Sequence, residues 1–258
     1  MPEGDTVYRT AKNLDAALRG DTLTRCEIRV PAFATMDLTG DTVEGVASRG
    51  KHLLIRVGEH SIHSHLKMEG SWHLYRHGSK WRRPAWQARA ILGTDDWVAV
   101  GFEFGVLDVV ARDDESSVVG YLGPDLLGPD WDQGEALLRL TADPGRAVGL
   151  ALLDQRVMAG LGNVYRNELC FLRGILPTRP VGGVDQPERL VELAHRLIDA
   201  NKDRVQRTTT GSLRGETAWV YRREGRPCLR CGTRIEHGEL GDTALELRDA
   251  YWCPRCQS

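Results

Sequence analysis

The sequence predicts an α+β multidomain protein: an N-terminal β-sandwich or barrel with a flanking helix, a helical middle, and a small β-hairpin pinned by cysteines at the C-terminus. Three observations carry this. Short apolar runs separated by Gly and Asp clusters recur from Leu23 to Val119. Beyond a stretch rich in Gly, Pro and Asp at 123–134, the apolar period becomes helical. Two Cys-x-x-Cys pairs close the chain. At 258 residues the chain is near the length at which one core divides, so two or three compact units are expected.

The elements follow in order. Val7, Ala11, Leu14 and Leu18 repeat at helical spacing and Gly20 stops the run, so an amphipathic helix begins within a few residues of the amino end. His52 to Val57, Trp97 to Phe102 and Val106 to Val110 read as strands. Residues 123–134, GPDLLGPDWDQG, read as a linker. Arg146 to Ala159 is apolar nearly all round, the pattern of a buried helix. Gly160-Leu161-Gly162-Asn163 then reads as a tight turn before the helical stretch Val164 to Phe171, with Asn163 either an ordinary N-cap or a donor to a phosphate. Pro187 to Asn201 carries Leu190, Leu193, Ala194, Leu197 and Ile198 on one stripe. No internal repeat or low-complexity tract is present.

A net charge of −2 neither requires nor excludes a polyanionic partner. The distribution is more informative: residues 201–234 hold nine lysines and arginines against Asp203, Glu216 and Glu224, a basic patch or a solvated charged face. The amino end has no basic region followed by an apolar segment, and no apolar run approaches membrane-spanning length. The expectation is a soluble, cytoplasmic protein with no membrane partner. Cys228-x-x-Cys231 and Cys253-x-x-Cys256 can each offer two thiolates to one ion, and zinc is the expected metal ahead of a disulfide pair or an iron-sulfur cluster. The 21 residues between the pairs suffice for a hairpin. Cys26 and Cys170 sit among apolar residues and read as small buried hydrophobes. His63 and His65 share a strand face but read as ordinary strand histidines, since no further ligand is visible nearby.

Four segments in this order resemble the formamidopyrimidine-DNA glycosylase and endonuclease VIII family across the whole chain: Pro2-Glu3-Gly4, Gly50-Lys51-His52, GLGNVYRNE from Gly160 to Glu168, and RDAYWCPRCQ from Arg248 to Gln257. The resemblance implies an N-terminal β-sandwich with flanking helices (1–122), a linker (123–134), a helix-two-turns-helix domain (135–222) and a zinc-ribbon hairpin (223–258). It implies a monomer that binds damaged DNA, nucleoid-associated if bacterial, with one structural zinc ion on Cys228, Cys231, Cys253 and Cys256. Pro2, exposed by removal of Met1, is then the amine nucleophile, chemically apt because an α-amine titrates near neutrality. Glu3 is the general acid, and Lys51 holds a phosphate or assists proton transfer. Asn163 and Arg248 pinch the phosphate beside an extruded nucleotide. Met68 matches a wedge that fills the gap left by the base, and Phe104 a second wedge position.

Two departures bear on chemistry and specificity. Many members carry a Pro-Glu pair where this chain has Asp5-Thr6, and purine-specific relatives carry an arginine where it reads Phe102-Glu103. The second leans toward the endonuclease VIII branch. The expected activity is therefore a bifunctional glycosylase and abasic-site lyase on oxidised pyrimidines. The alternatives are a purine-lesion enzyme on the same scaffold or a damaged-DNA-binding protein without catalysis.

Overall fold

The computed structural model describes residues 2–258 and divides into two compact units, one ending at Tyr121 and the other beginning at Leu122. Met1, whose removal the expected role of Pro2 as nucleophile requires, lies outside the described residues.

The first unit opens with helix α1 (Gly4–Leu18), whose buried stripe is Val7, Ala11, Leu14 and Leu18, as the spacing predicts. Eight strands follow: β1 (Arg25–Ile28), β2 (Val43–Arg49), β3 (His52–Val57), β4 (His60–His65), β5 (Ser71–Arg76), β6 (Ala88–Gly93), β7 (Trp97–Phe102) and β8 (Val106–Ala111). They form two antiparallel four-stranded sheets, ordered β1-β6-β7-β5 and β2-β3-β4-β8. Alternate residues of both sheets, Leu53, Ile55, Val57 and Ile62 from one and Ala90, Leu92 and Ala99 from the other, meet the α1 stripe in a single core. The opposite face of the first sheet is buried too: Tyr75, Ile91, Val98, Val100 and Phe102 form a second cluster closed by Trp81. The opposite face of the second sheet carries a polar layer. The chain after β8, including the short helix α2 (Ser116–Val119), returns to that face and is fastened by Glu115, whose carboxylate accepts from Arg56 Nε and Nη2 at 2.8 Å each and from Ser61 Oγ at 2.5 Å.

The second unit contains α3 (Gln133–Thr141), α4 (Val148–Ala151), α5 (Asn163–Arg173), α6 (Pro187–Asp199) and a hairpin of β9 (Glu236–Leu240) and β10 (Arg248–Trp252). The segment read as a linker begins packed: Asp125 and Leu126 are buried, and the chain bridges Asp125 to Ala159. The helix expected from Arg146 to Ala159 is not formed beyond the four residues of α4. Apolar side chains all round a segment report burial rather than helical period, and here side chains satisfy an irregular buried backbone. The Asp154 carboxylate accepts from the Arg156 amide, and Gln155 Oε1 accepts from the Gly160 amide.

Helix α5 is buried on nearly every side, including four consecutive-turn polar residues, Asn163, Arg166, Asn167 and Glu168. Glu168 gathers a segment that has no regular structure of its own. Its Oε1 accepts from the Val220 and Tyr221 amides at 2.9 Å each, and its Oε2 accepts from the Trp219 amide at 2.7 Å and from the Thr209 hydroxyl. A buried donor left without an acceptor costs about 1–3 kcal/mol, and Glu168→Ala strands several at once. We therefore expect Glu168→Ala to destabilise the second unit by about 3 kcal/mol or more, with Glu168→Gln intermediate because it keeps one carbonyl acceptor. Urea unfolding followed by circular dichroism measures this, and unchanged midpoints for both variants would refute the assignment.

Candidate nucleic-acid and catalytic site

In the first unit the candidate residues gather through chain direction. Asp15 Oδ1 accepts from the Val46 amide at 2.6 Å, Arg19 Nη1 donates to the Glu44 carbonyl at 3.1 Å, and the Gly20 amide donates to the Val43 carbonyl at 2.8 Å. Later residues of α1 thus meet earlier residues of β2, so α1 runs antiparallel to β2 and starts toward the end where β2 turns into β3. Helix and strand both span roughly 20 Å, so Pro2 and Glu3 lie toward the Gly50-Lys51 turn. That turn is a two-residue hairpin connection between Arg49 and His52, with Gly50 at φ 57°, the left-handed region that glycine enters without strain. Glu3 is wholly buried at the N-cap position of α1, and its backbone carbonyl accepts from the Thr6 and Val7 amides. Pro2 and Lys51 are half-buried. Asp5, where relatives of the expected family carry proline, is a buried second carboxylate in the first helical turn, and its Oδ1 accepts from the Thr6 amide at 2.7 Å. The departure is visible in the sequence; the burial of this acid is not.

The two wedge candidates sit on adjacent turns and differ in exposure. Met68 is 54% exposed in the turn after β4. Phe104 is half-buried against Trp72, ring centroids 5.0 Å apart, and lies so close over Gly101 that a Cβ there would meet its ring at about 2.1 Å. Lys67 at φ 51° and Glu103 at φ 48° are two of four non-glycine residues with left-handed backbone among the described residues, and the Gly105 amide donates to the His65 carbonyl, joining the two turns. Strained backbone clusters at binding and catalytic sites more than elsewhere.

His52, which sequence reading passed over as the residue after the Lys51 turn, links His63 to Tyr121. His63 Nδ1 lies 3.4 Å from the Asp108 carboxylate, an electrostatic contact rather than a well-formed hydrogen bond. With the His63 proton on Nδ1 toward that acid, its Nε2 accepts from His52 Nδ1 at 2.7 Å, and His52 Nε2 accepts from the Tyr121 hydroxyl at 3.0 Å. His65 stands edge-on to His52, ring centroids 4.9 Å apart. His63 and His65 are strand residues outside any metal-ligand group, as expected, and their link to His52 and Tyr121 has no local signal because the third ring comes from a neighbouring strand and the phenol from 69 residues away. Among the described residues only the four cysteines group as metal ligands.

The second unit brings Asn163 and Arg248 onto one framework. Asn163 Nδ2 donates to the Asp249 carbonyl at 3.0 Å, Arg166 Nη2 donates to the same carbonyl at 2.5 Å, and the Tyr251 amide donates to Asn167 Oδ1 at 2.7 Å. Helix α5 therefore holds β10 directly, and Arg248, the first residue of β10, is exposed beside it. One Asn163 amide hydrogen is committed to the hairpin, leaving the other for a ligand. The four cysteine sulfurs lie within 4.8 Å of one another, with Cys228 to Cys256 at 4.0 Å and Cys231 to Cys253 at 3.5 Å, and no disulfide forms. Tetrahedral zinc–thiolate geometry requires sulfurs about 3.8 Å apart, so the set fits one such ion. Cys170 is fully buried and its thiol is pushed up to about 12, the inert hydrophobe expected, while burial also raises half-buried Cys26. The basic run 201–234 is only partly a solvated face: Arg223 is buried beside Glu216, and Arg230 lies over the Phe171 ring at 4.5 Å. No helix among the described residues is long and apolar enough to cross a membrane.

Residues 1–103 match the family model of the formamidopyrimidine-DNA glycosylase N-terminal domain, and residues 122–212 that of its H2TH domain. Curated relatives include probable endonuclease 8 2 of Streptomyces coelicolor, 55% identical over all of this chain and 94% of the relative. Another is the DNA-(apurinic or apyrimidinic site) lyase Nei2 of Mycolicibacterium smegmatis, 53% identical over all of this chain and 99% of the relative. Among solved structures, MutM with DNA containing carbocyclic 8-oxo-G and the Lactococcus lactis Fpg with abasic DNA match at TM-scores of 0.82 and 0.81, each 23% identical and covering both chains in full, which establishes a shared fold.

The histidine layer has a pH consequence. Burial first, then neighbouring cations including Lys51 and Lys67, lowers His52 to about 3 and His65 to about 4, and burial lowers His63 against the opposing pull of Asp108. Folded values below the unfolded one mean that, as pH falls under about 6.5, the unfolded chain takes up these protons first. The stabilisation is complete above that pH and is lost on descent toward 3–4, by about 1.4 kcal/mol per pH unit for each proton involved. Hydrogen exchange of β3 and β4 amides between pH 7.5 and 5 should show falling protection in the wild type and a flatter dependence in His52→Gln. Equal slopes would remove the layer from the account.

Proposed function

Because the chain belongs to the formamidopyrimidine-DNA glycosylase and endonuclease VIII family, we propose that it is a bifunctional DNA glycosylase and abasic-site lyase of base excision repair that removes oxidised pyrimidines. The observation that carries this reading is Pro2-Glu3 at the head of α1, where removal of Met1 would turn the proline nitrogen into a secondary amine next in sequence to a wholly buried glutamate. Once Met1 is removed, the Pro2 nitrogen lone pair attacks C1′ of the damaged nucleotide, the base departs, and an iminium joins protein to sugar. Glu3 protonates the opening sugar ring and moves protons during elimination of the flanking phosphates. Lys51 holds a phosphate near the lesion. Asn163 and Arg248 hold the phosphate beside the extruded nucleotide, and Met68 fills the gap in the stack, with Phe104 as the buttress of its neighbouring turn.

On this reading residues 1–122 form the catalytic domain, 123–134 the connection, 135–222 the helix-two-turns-helix domain and 223–258 the finger. The protein acts as a monomer in the cytoplasm, on the nucleoid of a bacterial cell. One zinc ion on Cys228, Cys231, Cys253 and Cys256 draws the two ends of the hairpin together and so fixes β10 and Arg248. The pyrimidine preference rests on Phe102-Glu103, where a carboxylate stands in place of the arginine of purine-specific relatives.

A panel of duplexes, each with one defined lesion, tests the function together with Glu3→Gln. The expected result is excision and strand cleavage at oxidised pyrimidines. Glu3→Gln should lower excision of an intact lesion about 100-fold or more, and cleavage of a preformed abasic site much less, since there the base has already gone. Preferential excision of 8-oxoguanine would move the protein to the purine branch. Absence of cleavage at every abasic site by Met1-processed protein would leave only a DNA-binding role.

A further inference from the structure

The connection between β5 and β6 carries two tryptophans with opposite fates. From Arg76 to Gly93 the chain has five lysines and arginines and no acidic residue. Trp81 turns inward: it stands edge-on to Phe102 at 6.1 Å and packs on Tyr75, closing the second cluster of the first unit, while the Tyr75 hydroxyl accepts from the Arg82 amide at 3.0 Å. Trp86, five residues later, is 71% exposed. Its exposure does not come from a loose backbone. Pro84 opens a 3-10 turn over Ala85–Gln87, Arg29 Nη1 donates to the Ala85 carbonyl at 3.1 Å, and Arg89 Nη1 donates to the Trp86 carbonyl at 2.9 Å. Arg29 is itself held by Glu27. The fold thus fixes the backbone under this indole and leaves the ring in solvent, so the backbone ordering cost of presenting this flat surface is already met in the folded protein.

The surroundings state what such a surface would accept. Among the described residues no carboxylate pairs with Lys80 or Arg82, whereas Arg83 pairs with Glu103. That pair, with the Glu103 amide donating to the Gln87 carbonyl at 3.2 Å, joins the loop to the turn carrying Phe104, which in turn adjoins the turn carrying Met68. The cationic, tryptophan-bearing edge is therefore continuous with the wedge region of the first unit. An exposed aromatic ring in a loop that also carries cations without a carboxylate partner is complementary to an unpaired nucleotide, whose base offers a π-face and whose phosphate offers charge.

We propose that the Lys80–Gln87 loop is a second nucleic-acid contact, in which Trp86 stacks on an unpaired base and Lys80 and Arg82 hold the adjoining phosphates. The proposal rests on the DNA-repair reading above and adds to it a site for single-stranded DNA beside the wedge. The probe is a fluorescein-labelled deoxythymidine oligonucleotide titrated with the full chain at several salt concentrations. Trp86→Ala should weaken binding about tenfold and Trp86→Phe should restore most of it, as base–aromatic stacking requires. Arg82→Ala should reduce the slope of log affinity against log salt by about one. Unchanged affinity in Trp86→Ala together with an unchanged salt slope in Arg82→Ala would overturn the proposal. So would self-association, read by sedimentation, that is lost in Trp86→Ala while oligonucleotide affinity is kept, because the edge would then be a protein interface. Cleavage of an abasic duplex by the wild type, measured alongside, separates the two readings: its absence sinks the repair activity, while the oligonucleotide titration alone decides the loop.

Discussion

The second unit depends on the buried polar edge of one helix. In α5, Asn163, Arg166, Asn167 and Glu168 occupy positions that an ordinary core helix gives to leucine, and each directs at least one side-chain polar atom to backbone outside the helix. Asn163, Arg166 and Asn167 bind β10, and Glu168 binds the segment leading from Thr209 to Tyr221. A carboxylate or amide in this setting is worth having only if nearly all its valences are met, since an orphaned buried group costs more than the bond returns. The consequence is specificity of position. The hairpin cannot slide along α5 without breaking several bonds together, so the cysteine set and Arg248 inherit the rigidity of the helix core.

The first unit solves a similar problem by a different route. Its first sheet is covered on its outer face by Trp81, and its second carries a polar layer on which the return of the chain is fastened by Glu115. The Met68 turn and the Glu103-Phe104 turn are joined by the bond from the Gly105 amide to the His65 carbonyl, and each holds a non-glycine residue in left-handed backbone. Such strain is affordable where the surrounding sandwich over-determines the geometry. The helix that carries Pro2 and Glu3 is locked to β2 at its far end by Asp15 and Arg19, leaving its amino terminus as the part that faces substrate in the catalytic reading.

Legibility in the sequence followed the physics of each signal. The α1 and α6 stripes were readable because a half-buried helix writes a 3.6-residue period, and the cysteine pairs because metal knuckles constrain spacing locally. Arg146 to Ala159 misled because a segment buried on all sides loses its period, and Gln155 and Asp154 then supplied the hydrogen bonds a helix would have made internally. The GLGNVYRNE string signalled a family, yet the pairing of its Asn163, Asn167 and Glu168 with residues 40 to 90 positions away has no local trace. The same holds for the His52 to Tyr121 link, a contact made only by strand register and the return of the chain. Trp86 was invisible as a candidate because sequence alone does not separate an inward tryptophan from an outward one in the same loop.

On the proposed reading the chemistry begins at the amino terminus. The most direct measurement is peptide mapping by mass spectrometry of the covalent complex formed when Met1-processed protein meets abasic DNA in borohydride. The account predicts that the reduced sugar remnant is carried by the peptide beginning at Pro2, on its nitrogen. Attachment at Lys51 or at any other lysine would contradict it.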